Sequence, residues 1–159
     1  MKCPTCREAT LTEKKTNHLY KESGLPNVVL VNVTVKDCPN CGEHMVLIPR
    51  VEELHRVIAT HIVKKEARLT GEEVRFLRKQ LGLTGTDFAT MLGVDSTTLS
   101  TWENGEPIGG SSDRLIRLTY VIAEDIKGYQ VDEMARITNT VEPAKMRLSA
   151  ARVWSDSVA

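Results

Sequence analysis

Four cysteines, the only ones in the chain, form two pairs of the type Cys-Pro-x-Cys. Cys3 and Cys6 lie in the N-terminal sequence MKCPTC, and Cys38 and Cys41 lie in CPNCG. Each such turn directs two sulfur atoms at one point, and two turns together supply the four thiolates of a tetrahedral zinc site. We therefore expect one structural Zn²⁺ ion on these four cysteines.

Iron, redox chemistry and disulfides are the alternatives to zinc for these thiols. A rubredoxin-like iron site has the same four ligands, and a single Cys-x-x-Cys pair can act as a redox couple. Disulfides are disfavoured in a reducing cytosol. His44 follows Cys41 by three residues and could replace a ligand, but we expect a surface histidine beside the site.

A second group of residues with possible binding chemistry lies in the segment 83–105, LTGTDFATMLGVDSTTLSTWENG. Its spacing predicts two short helices joined by a tight turn. The outward face of the second helix would carry four short polar side chains, Ser96, Thr97, Ser100 and Thr101. Side chains of this kind at the start of a recognition helix contact base edges in the major groove of DNA.

The neighbouring residues are of the types that begin, end and bury two short helices. Thr84 and Asp95 are suitable N-caps, because a side-chain oxygen can accept a hydrogen bond from a free amide of the first turn. Gly93 tolerates the left-handed conformation at which a helix ends. Helical spacing places Phe88, Ala89, Met91 and Leu92 on the inner face of the first helix, and Thr98, Leu99 and Trp102 on that of the second.

The string GVDSTTLSTWENG resembles the signature of Xre/Cro-type repressors, in which W-E-N-G follows the second helix. The resemblance implies an all-α DNA-binding bundle. Residues 70–128 nevertheless contain six basic and nine acidic residues, a net charge of −3. We therefore expect DNA binding to depend on dimerisation and phosphate contacts to come from helix N-termini and flanking cations, namely Arg75, Arg78, Lys79, Arg114 and Arg117.

The remaining pattern predicts an α+β protein, with a small N-terminal four-cysteine β module followed by the all-α bundle. Strands are expected at 28–35 and 45–48, with 10–20 as a hairpin partner, and a helix from Pro49 to about Lys65. Thr70 and Glu73 form a capping box at the next helix. The expected divisions are a zinc-binding, candidate partner-binding module (1–48), a connecting helix (49–69), the helix-turn-helix domain (70–128) and an extension (129–159).

The apolar residues from Leu115 to Ile126 exceed the needs of a small bundle, which favours a dimer interface. In the extension we expect a short helix over 131–137 and a second over 144–154. Met146, Ala150, Val153 and Trp154 would then share one face and pack on a partner subunit; a partly ordered tail is the alternative. The cations Lys64, Lys65 and Arg68 could contact DNA or simply end a solvated helix.

Composition excludes several classes of protein. The chain has 159 residues, of which 41% are hydrophobic and 26% charged, and its net charge is zero. There is no apolar run long enough for a membrane span and no signal-peptide core near the first methionine, so we expect a cytoplasmic protein. No nucleophile–base constellation is present, and we expect no catalysis.

The order of these parts resembles that of the MqsA-like (YgiT-type) antitoxins, with CPxC at the N-terminus, a second CxxCG, then P-x-V-E-E-L. The resemblance covers residues 1 to about 126. It implies structural zinc on the four cysteines, a toxin bound by the metal module, and a homodimer that represses its operon. The family's two base-contacting positions fall at Thr97 and Thr101.

The same features leave three alternatives open. Members of this architecture can act as free-standing zinc-containing regulators without a toxin. A metal-thiolate redox sensor or electron carrier is a different class, which bound iron would favour. The acidic helix pair would also suit an adaptor that binds only proteins.

Overall fold

The computed structural model describes residues 1–157, so positions 158 and 159 of the predicted extension lie outside the described residues. The described chain contains strands β1 (Thr12–Leu19), β2 (Val28–Asp37), β3 (His44–Leu47), β4 (Met146–Ala150) and β5 (Trp154–Asp156). Its helices are α1 (Val51–Lys64), α2 (Gly71–Gln80), α3 (Gly85–Leu92), α4 (Ser96–Glu103), α5 (Gly110–Ala123) and α6 (Val131–Ala135). The mixed α+β class, with an N-terminal sheet followed by helices, is as predicted.

The longest strand, β2, organises the sheet. It pairs antiparallel with β1 along its length, and its C-terminal half also pairs antiparallel with β3. Its N-terminal half instead pairs parallel with β4, which in turn pairs antiparallel with β5. The change of neighbour lies at Asn32, whose φ of 57° is left-handed and whose amide donates to Asn17 Oδ1 at 3.1 Å. Asparagine adopts this conformation more readily than most residues.

The expected second helix of the extension, over 144–154, is wrong. The chain there forms β4 and β5, which extend the sheet. Met146 and Leu148 are buried, whereas Arg147 is exposed and Ser149 half-buried. This alternation has the period of a strand, and burial against β2 stabilises it more than helix formation would.

The extension packs against the sheet and α1 of its own chain and does not form the helix that was expected to pack on a partner subunit. Of the four residues expected to share that face, Met146 and Trp154 are buried, whereas Ala150 and Val153 are exposed. The Trp154 indole donates from Nε1 to the carbonyl of Pro49 at 2.8 Å. The short helix α6 lies within the stretch where a short helix was expected.

One hydrophobic core runs from the sheet through α1 into the helices. It includes Val28 and Leu30 of β2, Ile58 of α1, Leu77 of α2 and Leu148 of β4. A separate, much smaller cluster of buried residues lies at the cysteine end and contains only Cys3, Leu11 and Cys38. The helical half and most of the sheet therefore share one core, while the cysteine end has little apolar burial of its own.

Arg117 was expected to contact phosphate, and this expectation is wrong. The side chain is fully buried on α5 and donates to Asp113 Oδ1 at 2.7 Å and to the carbonyl of Ala67 at 2.7 Å. The other carboxylate oxygen of Asp113 accepts from the amide of Leu69 at 2.7 Å. This ion pair joins α5 to the irregular segment between α1 and α2.

A close backbone contact sets the position of α4. The first residue of α2, Gly71, lies against the end of α4, and a Cβ atom there would be only 2.4 Å from the carbonyl oxygen of Trp102. Thr70 and Glu73 form the predicted capping box just before this contact.

None of the helices in the described part of the chain is long and apolar enough to cross a membrane.

Candidate metal centre and exposed helix face

The four cysteine sulfurs meet at one end of the sheet, as the sequence predicted. All four lie within 4.8 Å of one another. Each close pair joins the two turns: Cys3 Sγ to Cys41 Sγ and Cys6 Sγ to Cys38 Sγ, both at 3.6 Å. A zinc ion with Zn–S bonds of about 2.3 Å has sulfurs about 3.8 Å apart, whereas a disulfide bond is about 2.05 Å long. The spacing therefore fits a tetrahedral metal ion and not disulfides.

The two cysteine turns have the same backbone geometry. The amide of Arg7 donates to the carbonyl of Cys3 at 3.0 Å, and the amide of Gly42 donates to that of Cys38 at 3.1 Å. Both donors have a left-handed backbone, with φ of 61° at Arg7 and 77° at Gly42. Two matched turns of this kind present their four sulfurs to a common centre.

Backbone amides stabilise the thiolate form in the first turn. The amides of Ala9 and Glu8 donate toward the Cys6 sulfur and lower its pKa to about 6. The amide of Cys6, followed by that of Thr5, likewise lowers the pKa of Cys3. Donors aimed at a sulfur favour its charged form, which is the form that binds metal.

The pKa of Cys41 shows the effect of bringing four thiol groups close together. The amide of Glu43 acts to lower its pKa, but burial and the three neighbouring cysteine sulfurs outweigh it and raise the pKa of Cys41 to about 12. Four thiolates repel one another strongly, so a proton is retained when no positive charge is near. The donor set therefore fits a cation, which would offset this repulsion.

His44 lies beside the cluster and not in it. Its Nδ1 atom is 2.6 Å from Asp37 Oδ1, and Asp37 also pairs with Lys14 at 2.8 Å. Lys14 and then His44 hold the pKa of the Asp37 carboxyl below its ordinary value. The expectation that His44 is a surface histidine is confirmed.

The predicted helix pair is present as α3 and α4. Thr84 Oγ1 caps α3 by accepting from the amide of Asp87 at 3.1 Å, and Gly93 ends it with φ of 73°. Asp95 occupies the N-cap position of α4, although its side chain makes no capping bond. On the inner faces Phe88, Ala89, Leu92, Leu99 and Trp102 are buried and Thr98 is half-buried, whereas Met91 is exposed instead.

The four polar residues singled out on α4 are all exposed. Thr101 Oγ1 donates to the carbonyl of Thr98 at 2.7 Å, and the Asn104 side-chain amide donates to Ser100 Oγ at 3.3 Å. The structure thus places these residues on one accessible surface.

Several cations near this surface are engaged within the chain. Arg78 pairs with Glu103 at 2.7 Å and is mostly buried. Arg114 is half-buried and donates to the carbonyl of Gly110 at 2.9 Å, while Lys79 is exposed. The few cations left accessible agree with the low positive charge of this half of the sequence.

Two contacts of the segment between α1 and α2 were not predicted from the sequence. Lys65 and Arg68, considered as possible DNA contacts, lie instead against the extension and the helices. Lys65 Nζ is 2.5 Å from Glu73 Oε1, and Arg68 donates to the carbonyl of Ile108 at 2.8 Å.

A four-cysteine cluster on a small sheet, followed by a helix pair with a polar exposed face, fits a protein of the zinc-finger type joined to a helical half. The chain matches the family model described as the antitoxin component of a bacterial toxin-antitoxin system, MqsA, over residues 1–125. This match covers most of the chain, and the protein belongs to the MqsA antitoxin family. A comparison with curated proteins found no match. The matched range ends just beyond α5, so α6, β4 and β5 lie outside it.

Proposed function

We propose that the chain is the antitoxin of a type II toxin–antitoxin pair, neutralising a toxin protein and repressing its own operon as a DNA-bound homodimer. Family membership supports the antitoxin role. The observation that carries DNA binding is the face of α4, where four hydroxyl side chains are exposed while Leu99 and Trp102 anchor the helix in the core. A helix held in this way can enter the major groove. We assign no catalytic role.

DNA reading would rest on short side chains. Thr97 and Thr101 each offer a methyl group for a thymine and a hydroxyl for a single hydrogen bond, but neither makes the two-bond contact of arginine to guanine. The first amides of α4 are left free because Asp95 does not cap them, and they can donate to a phosphate. Arg114 would add a second phosphate contact. Part of the specificity would then come from DNA shape.

The metal in this proposal is a structural Zn²⁺ ion held by Cys3, Cys6, Cys38 and Cys41. Zinc prefers four thiolates in a tetrahedron, and a site with four protein ligands has no open position for a reacting molecule. The ion would fold and orient the two turns. Its role would be to shape the surface beside β1 and β3.

The toxin would bind the N-terminal module, residues 1–48. Strand β1 lies at an edge of the sheet, is eight residues long, and exposes all but one of its side chains. Main-chain groups on its outer side can pair with a strand of another protein, which is a common mode of recognition. Recovery of a small protein with the tagged chain from its native host would support this part. Its absence would favour the free-standing regulator.

The dimer would form through α5. Leu115 is 43% exposed and Ile122 is 77% exposed, and their spacing of seven residues places both on one face. Ile122→Glu should weaken the dimer by at least about tenfold, because a two-fold contact would bury two charges. Sedimentation over a range of concentrations measures this.

The matched control is Val131→Glu, since Val131 is 81% exposed but lies beyond α5. It introduces the same charge and should leave self-association unchanged. Equal dimerisation of the Ile122→Glu variant and the parent chain would remove α5 from the interface.

A titration against the promoter of the gene itself tests DNA binding. We expect a two-fold site with half-sites about 34 Å apart, and a shallow salt dependence for a dimer, since each neutralised phosphate contributes about −0.9 to the slope. A scrambled duplex of the same composition is the control. Equal affinity for both duplexes would contradict the proposal.

A further inference from the structure

The segment 137–157, which we call the strap, returns from the helical half to the sheet. It follows α6, lies outside the range matched by the family model, and ends with β4 and β5. On its way it crosses the linker 65–70, the irregular stretch between α1 and α2. The strap therefore contacts all three parts of the chain.

The first contacts join the strap to the linker by main-chain bonds. The amide of Arg68 donates to the carbonyl of Thr140 at 2.7 Å, and the amide of Thr138 donates to that of Glu66 at 2.8 Å. The Arg68 guanidinium adds bonds to the carbonyl of Thr138 at 3.2 Å and to Asn139 Oδ1 at 2.8 Å. Opening the strap would remove every one of these bonds.

The second contacts join the strap to α2 through a buried ion pair. Glu73 is almost fully buried, and its Oε2 atom accepts from the amide of Ala144 at 2.9 Å. Lys65 Nζ, paired with Glu73 Oε1, also donates to the carbonyl of Glu142 at 2.5 Å. Opening the strap would take the Ala144 amide from the buried Glu73 carboxylate and the Glu142 carbonyl from Lys65, and the cost of leaving buried polar groups with fewer hydrogen bonds favours the closed strap.

The third contacts join the strap to the sheet and α1. Leu148 and Met146 are buried beside β2, and the amide of Met146 donates to the carbonyl of Asn27 at 3.1 Å. Trp154 is 2% exposed and is anchored to the carbonyl of Pro49. Asp156 of β5 pairs with His61 of α1 at 2.8 Å.

We propose that the strap locks the metal-bearing sheet and the helical half into one fixed mutual orientation. The two halves share one apolar core, to which the strap contributes Met146, Leu148 and Trp154, and an interface of this kind limits the relative motion of joined parts of a chain. Here the strap adds a strand to one half, polar bonds to the other, and a cover over the linker between them. The proposal does not depend on DNA or toxin binding.

If DNA and toxin do bind as proposed, the locked geometry has a consequence. A partner on the sheet would be held at a fixed place relative to α4 and to the DNA beneath it. Events at the two surfaces could then influence each other through a rigid body instead of a loose linker.

Amide hydrogen exchange of the full chain tests the strap, because two neighbouring amides in the linker have different partners. The Arg68 amide donates to the strap, whereas the Leu69 amide donates to Asp113 on α5. Trp154→Ala should accelerate exchange at Arg68 by about tenfold or more through local opening, with little change at Leu69. Val153→Ala, at an exposed neighbour, is the control and should change neither.

A second measurement keeps the proposal testable if Trp154→Ala does not fold. A specific protease site is inserted between Lys127 and Gly128, in the exposed turn after α5, and cut in the folded chain. The released fragment should remain bound during gel filtration without denaturant. Separation of the fragment, or equal acceleration at Arg68 and Leu69 in the folded variant, would overturn the proposal.

Discussion

Cys38→Ser is expected to abolish metal binding and to unfold the cysteine end of the sheet while the helices remain folded. The buried apolar cluster that the structure describes at this end consists of Cys3, Leu11 and Cys38, with a few partly buried neighbours, so the proposed metal would supply much of its folding free energy. Apparent zinc-binding free energies of about 10–16 kcal/mol in small zinc-finger peptides show the scale of that contribution. The other half of the sheet shares the large core with α1 and β4 and should stay folded.

Elemental analysis of the purified protein measures the first part of this expectation. The parent chain should hold one zinc ion per chain, the serine variant none, and His44→Ala, which alters a non-ligand beside the cluster, one. Iron in place of zinc would support the redox alternative. Hydrogen exchange measures the second part, with loss of protection at 1–16 and 33–47. Retained metal in the serine variant, or loss of the helical circular dichroism signal with it, would contradict the account.

Arg117→Ala is expected to cause the largest loss of stability of any single change on α5. The substitution removes a fully buried guanidinium and leaves the Asp113 carboxylate in the core without its ion-pair partner. The carbonyls of Val63 and Ala67 also lose their donor. Breaking a buried ion pair costs about 3–5 kcal/mol, a large part of the 5–15 kcal/mol that stabilises a typical domain.

Urea unfolding of the variant and its control measures this effect. Arg114→Ala removes the same side chain one turn earlier on α5, where it is half-buried and makes one bond to Gly110. We expect the control to lose only about 0.5–1.5 kcal/mol. Similar losses for the two variants would show that the Arg117 pair does not hold α5 to the linker.

The four-cysteine cluster and the helix pair could be predicted because their determinants are local. The spacing of the two Cys-x-x-Cys pairs is enough to predict that the four sulfurs lie together. The ends of the helices are set by Thr84, Gly93 and Thr70 through hydrogen bonds to residues a few positions away. The prediction that Met91 lies on the inner face of α3 was wrong. Local spacing shows which side of a helix is apolar, but it does not show how wide the buried part of that side is.

The strap could not be predicted because its partners are distant in the sequence. Met146 and Leu148 alternate with polar residues, but only pairing with β2 turns that alternation into a strand. In the sequence Arg117 resembles a surface cation, because the carbonyls of Val63 and Ala67 that accept its hydrogen bonds are about 50 residues away along the chain.

The central claim, that α4 reads DNA, is tested most directly by titrating the double variant Thr97→Ala, Thr101→Ala on the gene's own promoter. Both side chains are exposed, so the free energy of unfolding should hardly change, while promoter affinity should fall by about tenfold, or roughly 1.4 kcal/mol. Thr90→Ala, at an exposed threonine of α3, is the matched control and should bind like the parent chain. Binding of the double variant as tight as that of the parent would show that α4 is not the reading surface.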